Sequence, residues 1–64
     1  MNEYYASIAR EILNQRASYI RRDLKNNTIE DFTKLVSWWV EEEGYYGISD
    51  KLIPIMFDIW NGQF

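Results

Sequence analysis

The chain reads as a small all-α domain of three helices, spanning residues 1–64 as one unit. Three observations predict it: apolar residues recur at steps of three and four, two turn signals divide the chain, and no segment alternates with period two long enough to argue a strand. The turn signals are Lys25-Asn26-Asn27-Thr28 and the stretch from Gly44 to Ser49.

The first helix is expected over residues 3–25, with Asn2 as N-cap. Ala6, Ala9, Leu13, Ala17, Ile20 and Leu24 form its apolar stripe, and Tyr5, Ile8, Ile12 and Tyr19 widen it. Ser7, Arg10, Glu11, Asn14, Ser18, Arg21, Arg22 and Lys25 take the other side. The paired asparagines are expected to end it, because Asn tolerates the left-handed conformation.

The second helix is expected over 29–43. Thr28-Ile29-Glu30-Asp31 resembles a capping box, in which the hydroxyl accepts from the backbone three residues on and the acid reaches back. Ile29, Phe32, Leu35, Val36, Trp39 and Val40 make the inward stripe, and Gly44 stands at C′. Glu41-Glu42-Glu43 crowds the negative end of the helix dipole, a placement costing on the order of 0.3–1 kcal/mol per exposed charge. Something beyond local stability holds those acids there.

The third helix is expected over about 50–61, starting near Ser49 or near Ile53 according to whether Pro54 lies within the first turns or opens the helix, with Gly62 as its stop. Its apolar residues spread over roughly 200°, against the roughly 100° usual for a surface helix. Two consequences are open: a central helix lying in the groove between its companions, or a helix that leaves part of Ile55, Ile59 and Trp60 for a second chain.

Size and composition bound the function. Sixty-four residues with eleven aromatic rings and no Cys or His exclude a disulfide scaffold and a Cys/His zinc site, and argue against disorder. A core of this size seldom supplies more than about 3–5 kcal/mol. Association with another chain is then the expected compensation, which points to a homodimer. Met1-Asn2-Glu3-Tyr4-Tyr5 has no secretory pattern and no run spans a bilayer, so a cytoplasmic protein without a membrane partner is expected.

Catalytic chemistry finds no foothold. Nucleophilic catalysis needs an activated side chain with a base in reach, and neither His nor Cys is present. The carboxylates pair only as neighbours in sequence, and Gly44 and Gly47 match no phosphate-loop spacing. The expectation is no enzyme, no cofactor and no metal.

Three features break the helical pattern. Trp38 lies among Asp31, Lys34, Glu41 and Glu42, on the side away from Trp39. It folds back over an aliphatic stem, lies under the Tyr45-Tyr46 turn, or anchors an interface. Arg16 falls inside the apolar stripe of the first helix and needs an acid, Asp23 or Asp58 within the chain; a partner's acid or a ligand anion is the other reading. Charge is uneven: +1 through Lys34 and −4 from Leu35 on, for a total of −3. Arg10, Arg21, Arg22 and Lys25 make a basic flank, and Glu41, Glu42, Glu43 and Asp50 an acidic cluster.

These readings converge on a small interaction module, a regulator, adaptor or inhibitor, that self-associates and binds a macromolecule. Its expected surface is Trp38, Tyr45, Tyr46, Ile55, Ile59 and Trp60. The alternative is a nucleic-acid-associated regulator touching phosphates through Arg10, Arg21, Arg22 and Lys25, against which the net negative charge argues. A helix-turn-helix reading fails because Asp50, Leu52, Ile53 and Pro54 would open the reading helix. An acidic surface imitating phosphates would rest on only five acids.

Overall fold

Helices α1 (Glu3–Asp23), α2 (Ile29–Glu43) and α3 (Leu52–Gln63) form in the order the apolar spacing predicts. The computed structural model describes residues 3–45 and 47–63 and shows a compact, strand-free three-helix arrangement among them. Asn2, expected as the first N-cap, and Tyr46, expected at the interface, lie outside the described residues.

The caps of α2 follow from its residues. Thr28 is extended (φ −120°, ψ 153°), and its hydroxyl accepts from the Asp31 backbone N–H at 3.2 Å. The Asp31 carboxylate accepts from Asn26 Nδ2 at 3.0 Å, so the acid of the capping box ties down the preceding turn. At the other end Gly44 takes φ 65°, and the Gly44 and Tyr45 N–H groups both donate to the Trp39 carbonyl. A side chain at that φ would cost about 1 kcal/mol or more, which is why glycine stands there.

Two helix ends differ from expectation. α1 stops at Asp23 rather than residue 25, although Leu24 N–H still donates to the Ile20 carbonyl at 2.8 Å. Neither asparagine adopts a positive φ; their side chains instead tie the turn after α1 to α2 and α3. Asn26 holds Asp31, and Asn27 donates to Asn61 Oδ1 on α3. α3 starts at Leu52, which puts Pro54 in its first turn, where the missing N–H costs nothing. It also runs through Gly62 to Gln63, so Gly62 is not its stop. With its φ not positive, this glycine has no left-handed turn to make.

α3 packs on both companions, most extensively on α1, while α1 and α2 approach each other less closely. It is the central helix. Leu52, Ile53, Met56 and Ile59 are buried among Ala6, Ala9, Ile12, Leu13 and Ile20 of α1 and Phe32, Val36 and Trp39 of α2. Ala6 and Ala9 leave room for the close approach of α3. Phe57 meets Phe32 in a tilted ring pair 5.2 Å apart. The arc that looked too wide to shelter is therefore covered by two helices, and Ile55, Phe57 and Trp60 remain only half-buried against the core.

Candidate functional site

With α3 sheltered, the exposed apolar surface moves elsewhere. Among the described residues the large apolar side chains left in solvent are Tyr4, Tyr19, Ile29 and Trp38. Trp38, 52% exposed, is the largest of them and lies midway along α2. Its neighbour Trp39 is 1% exposed: a step of 100° along the helix sends one ring to the core and the other to water.

A cleft lies where α1 and α2 approach each other loosely. The cleft holds about 330 Å³ and is lined by Asp23 and Lys25 on one side and Asp31, Lys34 and Leu35 on the other. Asp31, Lys34, Leu35 and Trp38 follow the 3–4 spacing that places side chains on one helix face, so the exposed ring continues the α2 wall. Leu35 is half-buried; the rest of the lining is charged with both signs. The cleft is an open groove rather than an enclosed chamber, suited to a protuberance on another molecule.

The far end of the α1–α2 seam is closed by Arg16. Its guanidinium lies 4.4 Å from the Tyr45 ring centre, 5.1 Å from Trp39 and 5.4 Å from Tyr19. Nη1 donates to Glu43 Oε2 at 3.0 Å and to Oε1 at 3.2 Å. Arg16 thus has its acid within the chain, but that acid is Glu43 rather than Asp23 or Asp58. This contact accounts for one of the three glutamates at the negative end of α2. Tyr45 is held on both sides, donating its hydroxyl to Gln15 Oε1 at 2.8 Å while covering the guanidinium.

The residues expected to form one interface are not gathered on one surface. Ile59 is 5% exposed and belongs to the core, so it is withdrawn as a docking residue: it faces the seam where α3 meets its companions. Ile55 and Trp60 are half-buried and point in directions roughly 140° apart on α3. Tyr45 lies under Arg16 and Trp60 under Arg21 at 5.6 Å, and these arginines are themselves roughly 140° apart on α1. Among the described residues of that set, only Trp38 keeps the exposure an anchor needs.

The basic flank is divided too. Arg22 turns roughly 100° from Arg21, stacks on Tyr19 at 5.0 Å and binds Asp23 through Nε–Oδ1 (2.8 Å) and Nη2–Oδ2 (2.9 Å). Lys25 shares the cleft with Asp23 and Asp31, and Arg10 lies by Glu3 and Ser7. Arg22 therefore leaves the flank, while Arg10 and Arg21, eleven residues apart on α1, keep bearings within about 20° of each other.

The Arg22 hydrogen bonds, reinforced by its charge, hold the Asp23 carboxyl below its ordinary pKa, outweighing the opposing desolvation. A depressed folded-state value means the contact favours folding above the ordinary carboxylate range and is lost as pH falls through the lowered value. Carbonyl-detected NMR titration should show Asp23 losing its proton at lower pH than in an unfolded peptide. In Arg22→Gln its midpoint should move up. An unmoved midpoint would mean the contact does not persist in solution.

Among the described residues, no group of three or more Asp or Glu is placed to hold a metal ion, and no helix is long and apolar enough to cross a membrane. Fold and surface together describe a small helical bundle with a groove of mixed charge and an exposed tryptophan on the same helix as one of its walls. Compared with known proteins, the chain matches no family model, no curated protein and no solved structure.

Proposed function

We propose that the chain is a protein–protein interaction module, a small regulator, adaptor or inhibitor of the cytoplasm that self-associates and works by occupying a surface on another macromolecule rather than by catalysis. The observation carrying this reading is Trp38, half in solvent midway along α2, one helical turn beyond Lys34 and Leu35, which line a charged groove. A large ring on a fixed backbone gains contact area at little entropic cost, and tryptophan is over-represented among residues that dominate interface energies. The mixed charges of Asp31 and Lys34 supply a polar rim that selects orientation. A phosphate-binding role has less support, since Arg22 is paired with Asp23 and Lys25 shares its cleft with Asp23 and Asp31.

The test is to cross-link the chain in its native host, purify the partner retained, and measure its affinity. Trp38→Ala should weaken binding at least about tenfold, with Trp38→Phe in between. Affinity should respond weakly to salt. An unchanged affinity in Trp38→Ala would remove the reading. Binding to duplex DNA with a log–log salt slope near −0.9 per phosphate contact would replace it with the phosphate role.

A further inference from the structure

We infer that the Trp38 face of α2 binds the same face of a second copy, the two α2 helices running antiparallel about a two-fold axis near Trp38. This rests on the interaction-module reading and names one occupant of its surface. The argument is a register. Lys34, Trp38 and Glu42 stand at i−4, i and i+4 on one helix stripe, and all three are exposed. Among the described residues, neither Lys34 nor Glu42 has an ion-pair partner within its own chain.

Reversing a copy of this stripe about Trp38 sets ring against ring and brings Lys34 opposite the other copy's Glu42, twice by symmetry, with each charge about 6 Å along the axis from the centre. A parallel pairing would set Lys34 against Lys34 and Glu42 against Glu42. Charge therefore selects the antiparallel arrangement. The acids crowding the negative end of α2 acquire a second reason: Glu43 serves Arg16 within the chain, and Glu42 serves Lys34 of the second copy.

The contact is modest. A stable interface takes about 800 Å² per partner, close to a fifth of the 4376 Å² this chain exposes, and one face of α2 is only about 22 Å by 10 Å. The dimer is accordingly a weak one, and the experiment must reach high concentration.

Sedimentation equilibrium of the whole chain from about 10 μM to 1 mM should show the mean mass rising toward twice that of the monomer. Lys34→Glu sets two glutamates face to face at both symmetric contacts, and Glu42→Lys sets two lysines; each should weaken dimerisation at least about tenfold. An equimolar mixture of the two variants restores opposite charges at both contacts and should recover the dimer. Glu42→Lys also relieves the helix dipole, so its monomer should melt no lower than the parent, which separates lost association from lost folding. A parent chain monomeric throughout, single variants that dimerise as well as the parent, or a mixture no better than either alone would each overturn the inference. If the parent is monomeric while Trp38→Ala still loses a foreign partner, the dimer and the self-association fall, and the binding of another macromolecule through Trp38 stands.

Discussion

Trp39→Ala should leave the chain largely unfolded at 25 °C, with the far-UV helical signal collapsed and no cooperative urea transition. Trp39 is 1% exposed and is the largest of the fully buried side chains, facing the core shared with α3. Removing a buried Trp side chain typically costs 3–5 kcal/mol, from lost transfer energy and from the cavity left behind. A single core of this length supplies about the same, so the one deletion consumes most of the margin. The adjacent Trp38 is the internal control. Trp38→Ala removes a ring already half in water and, at low micromolar concentration, should change stability by less than about 0.5 kcal/mol. Trp39→Phe, which keeps a ring in place, should fold with a lowered midpoint. Two neighbouring tryptophans with such different consequences follow from one 100° step. A Trp39→Ala chain that unfolds cooperatively near the parent midpoint would show that the core is not built around this ring.

That pair also shows what the sequence could and could not disclose. Their opposite bearings are legible, because helical period alone separates positions 38 and 39. So are the start of α2 at Thr28 and its end at Gly44, where local backbone chemistry decides the outcome. The shelter of α3 is not. Its wide apolar arc fits a central helix and an interfacial one equally well, and the choice depends on how α1 and α2 flank it, which is tertiary information. Ile59 was misplaced for that reason. Arg16 was recognisable as needing an acid, yet two acids of suitable bearing lay within the chain and neither is the partner. Glu43 reaches it only because Gly44 ends α2 beside the middle of α1, a geometry that no spacing on either helix encodes. Arg22 leaves the basic flank through a local effect: it turns to the carboxylate next to it in sequence, and helical bearings alone do not show such a pairing.

Arg16→Ala should lower stability by about 2–3 kcal/mol, which for a chain of this length corresponds to a fall in melting temperature of roughly 10 °C or more. The order of three variants tells which contact matters. The Arg16 side chain is 15% exposed and its guanidinium faces three rings, a setting in which cation–π attraction is worth about 2 kcal/mol once water is excluded. Glu43 is 39% exposed, so its ion pair is screened and contributes no more than about 1 kcal/mol. Arg16→Lys keeps the charge but loses the planar face that stacks on Tyr45, and should recover only part of the loss. Glu43→Gln gives up the ion pair while removing a negative charge from the C-terminal end of α2, and these oppose each other. The expected order of damage is Arg16→Ala, then Arg16→Lys, then Glu43→Gln close to the parent. If Glu43→Gln costs as much as Arg16→Ala, the charge pair holds the seam and the rings are bystanders. With stacking dominant, Arg16 acts as a clamp that joins the end of α2 and Tyr45 to α1.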